Sequence, residues 1–503
     1  MSRRLFLLLF ALSPLLAHAH VNSPNVIFEG RAGLYPVRVV IRPPGVVPGL
    51  AEISVRVHTN GARLVSVLPV HWRAGIEGSP PPDVARPVAG EAGLYHAELW
   101  FMARGAYSVH VKVEGEHGAG TVMVPVNSLA VTRLSMPNVL GGILLAVGIF
   151  LFLAAVSIVG AAVRESVLEP GVAPTLKRRW FGRAAVAGSA LVLSVSLYAG
   201  RGWWNSVDRD YRNNKMFKPV RVQAAVRDAS GQRLLQLSIL ETNSGGFSSS
   251  PLVPDHGKLM HLFLVRAPGM DAFAHLHPVR RDARTFDAAL PPLPAGDYDL
   301  YADVTHESGF SQTLTASVNV PETVASTNSV GLPLPPDESD SWRLGPARET
   351  PVSANKPVCQ LNEQLAMIWD RPEKLIAGRD LTLRFAVLDA DGRPAPLEPY
   401  LGMSSHAALR RDDGRVFTHL HPSGSISMAA QQVFQLRAEG APSRRITAEM
   451  MDKLCQAPTP QQMREAIAFP YEFPEPGAYR IWVQVKSAGK ILTGVFDAVV
   501  AAK

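Results

Sequence analysis

Leu252-Val-Pro-Asp-His-Gly-Lys-Leu-Met-His261, followed by Phe273-Ala-His-Leu-His-Pro278, returns later in the chain as Leu397-Glu-Pro-Tyr-Leu-Gly-Met-Ser-Ser-His406 and Phe417-Thr-His-Leu-His-Pro422. Each copy runs on to a Gly-x-Tyr step, Gly296-Asp-Tyr298 and Gly477-Ala-Tyr479, that opens a final pair of strands. A third segment shares only this closing part, at Gly105-Ala-Tyr107 and Val122 to Val126. Three related units of ordinary domain size follow, 20–130, 206–322 and 351–503, of which only the last two carry the histidine motif.

The units alternate apolar and polar residues at period two between Pro- and Gly-rich turns. Examples are Arg38-Val-Val-Ile-Arg42, Leu235-Gln-Leu-Ser-Ile239 and Leu381-Thr-Leu-Arg-Phe385. Many short alternating strands of this kind specify β-sandwiches. The fold class is therefore mainly β: three Ig-like β-sandwich domains, joined to a two-helix transmembrane hairpin. Residues 323–350, with Pro333, Pro335 and Pro336, read as a linker. The last sandwich carries an insertion of about Ala429 to Ala468, with a helix expected to start at Thr459-Pro460.

Residues 1–19 have the form of a secretory signal. Arg3 and Arg4 precede the apolar Leu5 to Leu16, and Ala17-His18-Ala19 is a small-x-small cleavage site that would leave His20 as the first mature residue. Two apolar runs, Val139 to Val163 and Ala184 to Gly200, are long enough to cross a bilayer of about 30 Å. Between them lie Arg164, Lys177, Arg178, Arg179 and Arg183, the positive-inside signature of a cytoplasmic loop, and Trp203 and Trp204 follow as interfacial aromatics. A hairpin spanning 137–200 then leaves every sandwich outside, which places the protein in a bacterial inner membrane with its soluble domains in the periplasm. The net charge of +7 is drawn largely from the signal and this loop, and there is no nucleic-acid patch. Cys359 and Cys455 are the two cysteines, and an oxidising compartment permits a disulfide between them.

Residues at i and i+2 of a strand face the same way, so His275 and His277 share a face, as do His419 and His421. Leu276 and Leu420 then face the core. A hairpin turning at Ala267 to Asp271 returns His261 to His277, and one turning at Asp412 to Gly414 returns His406 to His421. The second loop is one residue shorter, so a register slip there would move His406 to the other face. Three imidazoles on one face suit copper or zinc. The expected metal sites are His261 with His275 and His277, and His406 with His419 and His421. The alternative is a set of hydrogen-bonded histidines closing a sandwich end. His256 and His306 are weaker candidates because the second copy has Leu401 and Ser487 in their places. Met260, Met270, Met403 and Met428 are expected to pack rather than ligate. His20 is a separate candidate: a free N-terminal histidine offers its amine and Nδ1, with His58, His71, His96, His110 or His117 as a second ligand.

The repeated Phe-x-His-Leu-His-Pro with its closing Gly-x-Tyr strands resembles YtkA-like domains of the bacterial envelope. The mature start after Ala-His-Ala is similar to CopC-type periplasmic copper proteins, although 20–130 lacks the downstream Asp-x-His of that family. These resemblances imply metal handling outside the cytoplasm, with copper as the cofactor. The expected function is a membrane-tethered metal-binding protein for copper tolerance or copper delivery, with the metal ion, the membrane and an envelope protein as partners. The alternative is an assembly or scaffold protein whose sandwiches bind protein partners. A copper oxygenase built on His20 is the one enzyme class the residues suggest, and no triad, paired-carboxylate site or phosphate loop points to another.

Overall fold

A computed structural model describes residues 25–229, 231–240, 250–322, 334–347, 349–351, 356–440, 446–454, 458, 463 and 467–503. The expected signal segment, His20, Cys455 and the expected helix start at Thr459-Pro460 lie outside the described residues; Cys359 is buried.

The alternating stretches are strands. In Gly49–Val57, residues 49, 51, 53, 55 and 57 are buried while Leu50 and Glu52 are exposed. In Asp380–Asp389, Leu383, Phe385 and Val387 point inward. The first sandwich stacks a five-stranded sheet of Val26–Ala32, Tyr35–Arg42, Gly49–Val57, Leu94–Phe101 and Arg86–Pro87 on a four-stranded one built around Ala62–His71 and Gly105–Gly115. Its core includes Tyr35, Ile41, Ile53, Leu99, Val109 and Val124.

Each histidine-bearing repeat has its own two-sheet core, around Leu262, Leu276, Phe286 and Leu300 in one and Trp369, Leu409, Leu420 and Phe496 in the other. The strands that matter for the site lie in one sheet of each repeat. In the first repeat, His261–Arg266 lies between Gly296–His306 and Ala272–Leu276. In the second, His406–Arg411 lies between Gly477–Ser487 and Phe417–Leu420. The expected linker is not wholly without structure: Ser341–Leu344 pairs with Ala272–Leu276 as an added edge strand. Its four residues are too short a signal to stand out among the surrounding prolines.

These strands do not alternate between buried and exposed. All of Ala272–Leu276 and the first five residues of His261–Arg266 are buried. Burial on both faces needs a cover on both faces, and the second cover is the other repeat. Phe273 stacks on Trp482 at 4.7 Å between centroids, and Phe417 stacks on Tyr301 at 4.0 Å. Phe273 and Phe417 are the same motif position, and Tyr301 and Trp482 both lie five residues beyond their Gly-x-Tyr glycine. The two repeats therefore pack sheet to sheet about a local two-fold axis, with each motif Phe on the aromatic of the other copy. Arg410 adds a bond to the Tyr301 hydroxyl at 3.0 Å and an ion pair with Asp299.

The insertion forms the helix Met428–Ala438, capped by the Ser427 side chain, and a shorter helix Ala448–Leu454. The long helix touches all three sandwiches. Gln431 donates to Met123 O at 2.8 Å, Arg437 donates to Trp72 O and Glu307 O at 2.8 Å each, and Ala429 N donates to Asp255 at 3.2 Å.

Residues 129–217 form a separate unit. Its two helices, Asn138–Glu165 and Leu176–Asp210, are each long and apolar enough to cross a membrane and run beyond the apolar stretches at both ends. They touch where side chains are smallest. A Cβ on Gly160 would meet Val186 at 2.4 Å, and one on Gly182 would meet Arg164 at 3.2 Å. Small residues at a crossing permit this close backbone approach.

Candidate metal centre

Seven histidines meet where the two repeats pack. Leu262 pairs with Leu276 and Ala407 with Leu420, which sets His261 opposite His277 and His406 opposite His421. The shorter second loop causes no slip. Leu276 and Leu420 lie in their own cores, so the histidines beside them point into the interface between the repeats.

His261, His275 and His277 form one group, each offering a ligand atom within 4.8 Å of the others. His261 Nδ1 lies 3.2 Å from His275 Nε2. Two nitrogens about 2.0–2.1 Å from one tetrahedral ion stand about 3.3 Å apart, so an ion fits this separation in place of the shared proton. His275 Nδ1 faces Gln484 Oε1 at 2.9 Å and the Tyr400 hydroxyl at 3.3 Å. His277 Nδ1 faces Asp340 at 3.0 Å, and the same carboxylate accepts from the His277 backbone N–H at 2.8 Å. Asp340 thus fixes that ring from behind and leaves Nε2 without a hydrogen-bond partner.

The second group differs from the expectation. His406 and His421 are together, but their third partner is His256 of the first repeat. His256 sits in the tight turn before His261 at φ +50°, matched by Leu401 at φ +50° in the other copy. The turn is the same in both repeats, and only the first carries a ligating side chain there. His419 stands between the groups, its ring centroid 4.5 Å from His421, 5.5 Å from His406, 5.4 Å from His261 and 5.7 Å from His275. Its Nδ1 faces Asp303 at 3.3 Å. His421 Nδ1 donates to Ile426 O at 3.1 Å, which directs Nε2 inward.

Seven ring nitrogens in this cluster are buried without a hydrogen-bond partner: both of His256 and of His406, and Nε2 of His277, His419 and His421. His256 Nε2 lies 3.4 Å from the Asp255 carboxylate. Each unsatisfied buried polar group costs about 1–3 kcal/mol. A neutral imidazole carries one N–H and one lone pair, and a metal ion takes up the lone pair. Burial, reinforced by neighbouring rings, holds His261, His275, His406 and His419 well below the usual histidine range, and burial holds His421 at about 4. The rings are neutral at pH 7, the form that ligates. Burial pushes the Asp303 carboxyl up to about 7, against the Thr313 hydroxyl that donates to it.

His306 does not join the cluster; its nitrogens meet Ser250 O at 2.7 Å and Gln312 at 2.9 Å. Met260 is in the first repeat's core, Met270 packs at the repeat interface, and Met428 packs on the first sandwich, its sulfur accepting from Ser423. Among the described residues, none of His58, His71, His96, His110 and His117 joins a three-ligand group.

Solved structures share little with the chain. Latent PorU from Porphyromonas gingivalis is 9% identical with a TM-score of 0.14, and the alignment covers 95% of this chain and 34% of that one. Salmonella alpha-2-macroglobulin reacted with methylamine is 9% identical, TM-score 0.19, over 97% of this chain and 24% of that one. A tetra-tandem repeat from the extending region of a large adhesion protein is 10% identical, TM-score 0.16, over 92% and 97%. The chain thus spans about a third and a quarter of the length of the first two, and similarity this low carries no argument. No curated protein matches the chain. Residues 219–322 and 362–502, the two histidine-bearing repeats and just under half of the sequence, match a family described as a domain of unknown function, DUF8832.

Proposed function

We propose that the chain is a membrane-tethered, extracytoplasmic metal-binding protein, with copper as the favoured ion and zinc as the alternative, serving copper tolerance or copper delivery. The observation that carries this reading is the set of imidazoles whose buried inward nitrogens have no hydrogen-bond partner. A scaffold protein that only binds other proteins gains nothing from such a cluster, because each orphan nitrogen costs stability. An all-imidazole donor set suits Cu(II) and Zn(II), and Asp340 and Gln484 occupy the supporting positions that ligating histidines need. The two apolar helices supply the membrane tether. The YtkA-like resemblance of the repeated motif agrees with this reading.

The test is direct. The full chain, purified in detergent and stripped of metal, is incubated with Cu(II) or Zn(II), desalted and analysed by mass spectrometry for metal. Retention of up to two ions per chain is expected. A chain that keeps neither metal would overturn the reading.

A further inference from the structure

The motif predicts two separate sites, one per repeat, but His419 closes the gap between the two groups. Within the first group the ring centroids lie 4.6–5.4 Å apart. Across the groups, His256 to His261 and His275 to His406 are each 6.5 Å, and His419 lies between, 5.4 Å from His261 and 5.7 Å from His275. A further crossing is the exchange of ligands, since His256 of the first repeat completes the group around His406 and His421.

Resting on the metal-binding reading above, we infer that the seven histidines form one two-ion centre on the local two-fold axis, whose ions bind as a coupled pair and join the two repeats. His261, His275 and His277 hold one ion, and His256, His406 and His421 hold the other. His419, its Nε2 unpartnered, lies between them. Two dications this close repel one another, and the surroundings offset that charge. Asp340 backs His277, Asp303 faces His419, and Asp255 lies beside His256. The pseudo-symmetric halves are not identical. Asp303 pairs with His261 across its sheet and Gln484 pairs with His406, so one carboxylate takes the place of one amide. Asp303, His261, His419 and His421 also line one pocket with Lys258.

The experiment uses the full chain in detergent, loaded with Cu(II). Total copper, cuprous copper and electron-spin concentration are measured on the same samples. Two coupled Cu(II) ions give a spin count well below the cupric content, and binding is cooperative. His277→Gln and His256→Gln, ligands of opposite groups, are each expected to lower copper from about two ions to below one. His306→Gln, outside the cluster, is expected to change nothing. Circular dichroism shows whether each variant is folded; if one is not, the wild-type spin count and the cooperativity of its binding curve decide. Two ions bound independently, with one spin per cupric ion and one ion lost per substitution, would overturn the coupled centre and leave the metal-binding reading standing. No retained copper would overturn both.

Discussion

His275 of the first repeat rests its Nδ1 on Gln484 Oε1 of the second, 2.9 Å away, so a candidate ligand of one sandwich is held in place by a strand of the other. The same device runs in reverse, since Asp303 of the first repeat faces His419 of the second at 3.3 Å. Gln484 is itself held by Ser341, on the edge strand that the linker adds.

Gln484 should therefore act as a positioning residue. Gln484→Leu leaves every ligand in place but removes the shorter of the two contacts to His275 Nδ1, leaving the Tyr400 hydroxyl at 3.3 Å. Loss of a supporting partner of this kind typically weakens metal binding about 10–100-fold. Competition with a chelator of known affinity measures it, with the melting temperature of the metal-free protein as the control for folding. Unchanged affinity would remove Gln484 from the site.

The metal-free protein should lose stability in mild acid. His261, His275, His406 and His419 are held well below their ordinary range, and His421 lies at about 4. Below about pH 6.5 the unfolded chain takes up protons at these rings that the folded chain does not. Stability is thus fully present above that pH and declines as pH falls toward 4. Thermal melts of the metal-free chain between pH 7.5 and 5 should show a falling midpoint. A flat profile would mean that the rings are not enclosed as described.

Packing of the repeats should control the site. Phe417 lies parallel to Tyr301 at 4.0 Å and is fully buried. Phe417→Ala removes that stack two residues from His419. A buried Phe-to-Ala change costs about 3–5 kcal/mol, and here metal retention should fall with stability. A variant that melts like the wild type would show that the interface is not what the structure describes.

Membrane orientation is testable separately. The basic residues between the two apolar runs predict that a reporter fused after Lys503 is active only if it works after export. Activity of a cytoplasm-only reporter at that position would reverse the topology.

Much of this was legible in the repeated motif. Period two set Phe, His and His on one face and Leu on the other, and hairpin pairing returned His261 and His406 to their partners. What the sequence did not reveal is what covers that face. Strand periodicity says which residues share a side but not whether that side meets water or another domain. The hint was the run His261-Leu-Phe-Leu-Val265, which has no exposed position on either face. His256 looks the weaker candidate in the sequence because the second copy has Leu401 in its place. A comparison of copies presumes that each repeat builds its own site, whereas His256 serves the neighbouring repeat. The edge strand Ser341–Leu344, which carries Ser341 and follows Asp340, was hidden by the prolines around it.

Whether the buried imidazoles hold metal is decided by comparing the metal content of the wild-type chain with that of the double variant His277→Ala/His421→Ala. Both proteins are loaded with Cu(II) in parallel, desalted, and analysed together. Up to two ions are expected in the wild type, with near-complete loss in the folded double variant. Equal copper in the two proteins would contradict metal binding by these imidazoles.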